Sequence, residues 1–196
     1  MFFARRDEQW YEDNLREGDY VVAAFDGDKI IGKGIVMELA ADEMDTESLR
    51  QFAHAYAPNK LAGDLCGTFV DPEYAGQGIQ RRIIERREAL MSSGNAEYLI
   101  TVTLPQNYKS IASCLKSGFT IEGTGKSDAE GNPWLYFLCK RFEKSSNLER
   151  KQSKEVVTIS ADDEIQIVER IRSGWHGVKL EAAEDKSQSP LMTLVK

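Results

Sequence analysis

A chain of 196 residues, 41% hydrophobic and 29% charged, suits one domain, or one domain with an appendage, and can bury a core without disulfides or metal. Its net charge of −7 disfavours non-specific nucleic-acid binding, so any anionic ligand needs a local cationic patch. No apolar run approaches the span of a bilayer, and the opening MFFARRDEQW turns polar too soon for a secretory leader, which excludes a membrane partner and points to the cytoplasm.

Residues 7–17, DEQWYEDNLRE, predict a short helix stopped by Gly18. Asp26-Gly27-Asp28 lies between two apolar runs and predicts a hairpin, with strands at about 20–25 and 30–39. Within 40–62, TESLRQFAHAY reads either as a helix capped by Thr46 or Asp45 or as an ordered loop. DLCGTFVD (64–71) predicts one strand, ended by Pro72. IQRRIIERREALMSSG predicts a helix whose apolar stripe is Ile79, Ile83, Ile84, Leu90 and Met91, with arginines on the remainder.

EYLITVTL (97–104) predicts a strand closed by Pro105. Asn107 then caps YKSIASCLKSG, with Gly118 and Phe119 forming a Schellman stop. FTIEGTG and WLYFLCKRF, joined by SDAEGNP, predict an antiparallel hairpin. Residues 143–155 are polar and read as a linker or exposed helix; VVTIS and DDEIQIVERIRSG add one strand and one helix; the final AAEDKSQSPLMTLVK reads as loose. No internal repeat of solenoid length is read from the sequence. The cysteines Cys66, Cys114 and Cys139 form no CxxC pair and read as reduced thiols, and the histidines His54 and His176 are too far apart in sequence to suggest a metal site.

The chemically informative stretch is VDPEYAGQGIQRR, residues 70–82. A strand, a Gly-x-Gly turn and a helix start gather main-chain N–H groups at one point. The first amides of a helix have no intrahelical acceptor and carry the positive end of the helix dipole. Glycines let a ligand approach that backbone closely, so the loop suits phosphate or pyrophosphate. Arg81, Arg82, Arg86 and Arg87 form the cationic patch beside it, although a solvated helix face accounts equally well for the last two. A P-loop needs Gly-Lys-Ser/Thr where Gly78-Ile79-Gln80 stands, and a dinucleotide fingerprint needs a glycine at Arg81.

Residues 64–142 resemble the GNAT superfamily of N-acetyltransferases. The likeness rests on the β-run ending in Val70-Asp71-Pro72, the turn Tyr74-Ala75-Gly76-Gln77-Gly78-Ile79, the strand to Pro105, and Asn107 through Gly118-Phe119. It implies an α+β fold: a central mixed, mostly antiparallel sheet flanked by helices in residues 1–142, a linker at 143–155, and a C-terminal strand–helix extension at 156–196. The family's Arg/Gln-x-x-Gly-x-Gly/Ala loop falls on Ala75 to Gln80, with Ala75 in place of the Arg or Gln and Gln80 in place of the last small residue. The family's opening strand and first helix have no counterpart at the N-terminus, so VVTIS and its helix are expected to supply that pair, within the chain or across a homodimer.

The resemblance also implies roles. Acetyl-CoA would be the cosubstrate, its pyrophosphate held by the amides of Gly76, Gln77, Gly78 and Ile79 with Arg81 nearby, and its pantetheine by the backbone of Phe69 and Val70 and by Asn107 and Ser110. The family's proton-donating tyrosine, seven residues after Asn107, is replaced by Cys114, for which packing competes with proton donation; Tyr108 and Tyr136 are substitutes. Asp64 and Glu38 are candidate bases for the acceptor amine, against the reading of each as a surface carboxylate. Strand periodicity places Asp64, Cys66 and Thr68 on one face. The implied function is acetyl-CoA-dependent N-acetyltransfer to an amine acceptor, with no metal; the alternative is a GNAT-like domain that binds CoA or a protein partner without turnover.

Overall fold

The computed structural model describes residues 8–127, 131–142, 155–183 and 187–196. Helix α1 (Glu8–Asn14) leads into the hairpin of β1 (Tyr20–Asp26) and β2 (Lys29–Leu39), which turns at Gly27. The ambiguous stretch after β2 is helical: α2 (Glu47–Tyr56) is capped by Thr46, whose Oγ1 accepts the amide of Leu49 at 3.3 Å. Next come β3 (Ala62–Asp64), β4 (Thr68–Val70), α3 (Ile79–Met91), β5 (Tyr98–Thr103) and α4 (Tyr108–Lys116). The hairpin β6 (Thr120–Lys126) and β7 (Trp134–Arg141) follows, then β8 (Val156–Ser160), α5 (Glu164–Arg172), β9 (His176–Glu181) and β10 (Leu191–Val195).

The strands form one sheet in the order β1-β2-β3-β5-β7-β6-β9-β10-β8, with β4 paired to β2. Only β3 and β5 run parallel among the described strands, so the mixed, mostly antiparallel α+β fold expected from the sequence is the one that forms. One face is covered by α3, α4 and α5, which bury Ile84, Ile111 and Ile167 against Leu99, Ile121, Leu138 and Leu194. The other face carries α2 and buries Leu49 and Ala53 against Tyr98, Ile100 and Phe137.

Three expectations need correction. The strand expected over 64–71 is two strands, β3 and β4, broken at Cys66-Gly67. Within the chain, the C-terminal elements do not stand in for an opening pair at the β1 edge; they extend the opposite edge, beyond β6. The tail is not loose at its end, since Leu191–Val195 is a strand paired on both sides, its Met192 and Leu194 in the core. Residues 143–154 of the expected linker lie outside the described part.

Candidate functional site

The break between β3 and β4 opens the sheet. Through Asp64 the chain runs beside β5, and Leu65 still donates to the Ile100 carbonyl at 2.8 Å. Gly67 then takes φ 61°, and Thr68–Val70 pairs with β2 alone, leaving β5 behind. A wedge therefore opens between β4 and β5. Asp71 donates to the Ile31 carbonyl at 2.9 Å, and Phe69 lies opposite Lys33. Antiparallel ladders alternate bonded and non-bonded pairs. Hence Phe69 turns its N–H and C=O to β2, while Thr68 and Val70 turn theirs into the wedge. Of the two backbone contacts expected for a pantetheine arm, Val70 faces the opening and Phe69 does not. The bulge also resets the side-chain alternation. Asp64 stays on the α2 face with Ala62, whereas Thr68 reaches α3, so the single-face expectation for Asp64, Cys66 and Thr68 fails.

The glycine turn closes the open end of the wedge. Asp71 caps a 3-10 turn, Pro72–Tyr74, by accepting the amide of Glu73 at 3.0 Å. Ala75 donates back to Pro72, and the next internal donor is Arg82, to the Gly78 carbonyl at 3.1 Å. Among the described residues, the amides of Gly76, Gln77, Gly78, Ile79, Gln80 and Arg81 have no acceptor. Gly76 and Gly78 hold φ 81° and 74°, a region costly for other residues, and no atom lies within 4 Å of where a Cβ would stand on either. The loop is thus a run of six open donors at the start of α3, with room for an anion. Ala75 brings no side chain to it. Arg81 is exposed and pairs with Glu85 at 3.3 Å, and Arg82 is exposed beside it.

Gln80 spans the gap between α3 and α4. Its amide nitrogen donates to Ser110 Oγ and its oxygen accepts from Ser113 Oγ, both at 3.3 Å. Asn107 caps α4, its oxygen accepting the Ser110 amide at 3.4 Å. Cys114 is buried one turn further on. Burial pushes its thiol up to about 11, against the pull of the Arg87 charge and a hydrogen bond with Ser110. A thiol so weakly acidic is a poor proton donor at neutral pH, and its surroundings are those of a packing residue.

The sequence reading missed the role of Arg87. This arginine is 1% exposed rather than part of a solvated face. Its Nη1 donates to the Ile35 carbonyl at 2.8 Å and its Nη2 to Thr68 Oγ1 at 2.7 Å. Ile35 lies where the ladder is interrupted, its N–H bonded to Cys66 at 3.3 Å. Arg87 therefore supplies the donor that its carbonyl lacks and pins β4 at the mouth of the wedge. Gly34 makes room for it: a Cβ there would sit 2.9 Å from the guanidinium carbon. Burial pushes Arg87 down to about 10, so it remains charged at neutral pH. The signal in the sequence was its place on the apolar stripe, four residues after Ile83.

The other candidates fall apart from this cluster. The Glu38 carboxylate accepts the amides of Asn95 and Ala96, both at 3.1 Å, and so ties down the loop after α3, at the end of that helix away from the glycines. Asp64 is buried at the end of β3, next to the split. Tyr108 donates to Asp162 of the C-terminal unit, and the Tyr136 hydroxyl is buried with no partner among the described residues.

A family model, the acetyltransferase (GNAT) family, matches residues 2–119. The chain belongs to this family. The wedge, the glycine turn and the start of α4 all lie within the matched span of the GNAT domain. Comparison with curated proteins finds no match. The fold is similar to that of Arabidopsis thaliana NAA60 in complex with acetyl-CoA, with a TM-score of 0.55, 14% identity, and coverage of 72% of this chain and 88% of that one. It is similar to the ribosomal-protein-alanine N-acetyltransferase of Brucella melitensis, with a TM-score of 0.52, 23% identity, and coverage of 68% and 75%. It is also similar to the ribosomal-protein-S18-alanine N-acetyltransferase of Escherichia coli, with a TM-score of 0.51, 16% identity, and coverage of 69% and 77%. Among the described residues no helix is long and apolar enough to cross a membrane, and no cluster of potential metal ligands occurs.

Proposed function

We propose that this GNAT domain is an acetyl-CoA-dependent N-acetyltransferase in which an amine attacks the thioester directly. The observation that carries the reading is the run of open amides from Gly76 to Arg81 beside the wedge. Those amides, with the positive end of α3, bind the pyrophosphate. The Val70 amide in the wedge and Asn107 on α4 hold the pantetheine, with Ser110 behind them. Acetyl-CoA supplies the activated acyl carbon, to which the amine nitrogen bonds as the carbon–sulfur bond breaks, yielding an amide and CoA thiolate, which takes a proton from water. A backbone donor aimed at the carbonyl oxygen contributes about 2.7–4 kcal/mol to such a reaction.

Asp64, at the apex of the split, is the carboxylate assigned to take the amine's proton, through water. Glu38 lies at the far end of α3 from the glycine turn, and the raised thiol of Cys114 suits packing better than proton transfer. Arg87 brings a buried positive charge to the place where negative charge leaves on sulfur. The net charge of −7 favours a cationic acceptor.

A second reading, CoA binding without turnover, draws support from the absence of a side-chain anchor at Ala75 and of a tyrosine at Cys114. Two measurements test them, and the second separates them. Acetyl-CoA at 100 times its dissociation constant raises stability by about 2.7 kcal/mol under both readings. Release of CoA thiol in the presence of an amine panel then occurs only in the enzyme, and Asp64→Asn slows it without changing acetyl-CoA affinity. Absence of thermal stabilisation at millimolar acetyl-CoA contradicts both.

A further inference from the structure

Residues 100–127 and 131–140 recur as residues 156–183 and 187–196. The caps of α4 and α5 coincide: Asn107 has φ −83° and ψ 59°, Asp163 has −81° and 63°, and each accepts the amide three residues on. Both helices end at a serine, Ser117 or Ser173, followed by a glycine at φ 86° or 85°. Phe119 and Trp175 then donate back to Cys114 and Arg170, both at 3.1 Å. The strands keep the same offset, set by Gly118 and Gly174. Thr103 pairs with Tyr136, and Ile159 with Met192; Ile100 pairs with Cys139, and Val156 with Val195. Even the irregularity recurs, since the β6–β7 ladder skips Glu122 and the β9–β10 ladder skips the equivalent Val178.

The two copies meet as a two-fold pair does. At the β6–β9 junction Ile121 lies opposite Gly177, its own equivalent, in antiparallel pairing. Gln106 donates to Glu164 at 2.8 Å while Tyr108 donates to Asp162. Asp162 and Glu164 are the equivalents of Gln106 and Tyr108, so the contact is reciprocal. Helix α4 packs on β9 as α5 packs on β6. Reciprocity of this kind is the mark of an isologous interface between two copies of one unit.

We infer that the C-terminal unit is an internal second copy of the β5-α4-β6-β7 half and serves as a built-in partner subunit, occupying a pairing surface on β6 that would otherwise take another chain. The copy keeps the interface and not the site. Among the described residues nothing equivalent to β4 flanks β8, which ends the sheet, and the sequence before it, residues 143–155, has no glycine. Asp163, Gln166 and Arg170 stand where Asn107, Ser110 and Cys114 stand in the first copy. The surface is self-complementary, and without the copy β6 is an open strand edge.

The test uses the full chain without acetyl-CoA, so its outcome is independent of the enzymatic reading. Gly177→Val places a Cβ 2.7 Å from Ile121 Cδ1 and drives the copies apart. Sedimentation should show a monomer for the parent chain and concentration-dependent self-association for the variant, with faster hydrogen exchange in β6. A variant that stays monomeric with unchanged β6 protection overturns the inference. If that variant fails to fold, Gln106→Cys with Glu164→Cys decides the matter: a short bifunctional thiol reagent should cross-link the two positions within one chain, at monomer mass, and a cross-link between chains, or none, overturns it.

Discussion

The two copies of the β5-α4-β6-β7 unit share caps, bulge and strand register, yet only the first borders a candidate site. The difference lies in what precedes them. The first copy sits beside β3 and β4, where Gly67 breaks the strand, Arg87 pins the break and the glycine turn leaves six amides open. The second sits at the sheet edge, with no such neighbour among the described residues. A helix start with a well-formed cap is therefore not a binding site by itself; the strand split and the glycine turn make it one.

Matched substitutions sharpen that comparison. The largest contrast is expected from Gly78→Val against Gly174→Ala. The former should weaken acetyl-CoA binding by at least about 100-fold, about 2.7 kcal/mol, by calorimetry. The latter, also at a positive φ in open space, should cost about 1–2 kcal/mol of stability and leave the affinity unchanged. Equal losses of affinity in both would break the distinction.

Next in size is Arg87→Met, which leaves the Ile35 carbonyl without its donor. About 1–3 kcal/mol of stability should be lost in urea unfolding, together with faster amide exchange in β4. Asn107→Ala and Asp163→Ala form a third pair. Each removes a cap and should cost about 1 kcal/mol of stability, but only Asn107→Ala should weaken acetyl-CoA binding.

A separate effect concerns pH and is read only in alkaline solution. The Cys114 thiol has an ordinary value of 9.0 and is raised to about 11 in the fold. Its contribution is therefore complete below pH 9 and is lost as pH rises through about 11, on the order of 2 kcal/mol. Cys114→Ala should flatten that alkaline limb; a limb of unchanged steepness would show that other groups set it.

Most elements through β7 were legible because each is specified locally. Asp26-Gly27 marks the first hairpin, Asn107 and Gly118-Phe119 bracket α4, and alternation marks β6 and β7. The glycine turn was legible for the same reason. The strand break was not read, although Gly67 inside the run is a bulge signal, because the run carries no sign of which neighbour it will leave. Arg87 was misread because its neighbours on the helix are charged, and only tertiary contact shows it facing Gly34. The second copy was hidden because matching residues are sparse: Ile111 and Ile167, Ser117 and Ser173, Gly118 and Gly174, Leu135 and Leu191, Leu138 and Leu194, Lys140 and Lys196. Caps and register persist under substitutions that erase the rest of the likeness. The strand β10 was missed because its partners, β8 and β9, are supplied by the fold and leave no mark in a short tail.

Calorimetric titration of the full chain with acetyl-CoA, followed by amide NMR, tests the central claim most directly. One ligand should bind per chain, with the largest amide shifts at residues 76–81 and none of that size at the start of α5. No binding, two ligands per chain, or binding that leaves residues 76–81 unperturbed would contradict the account.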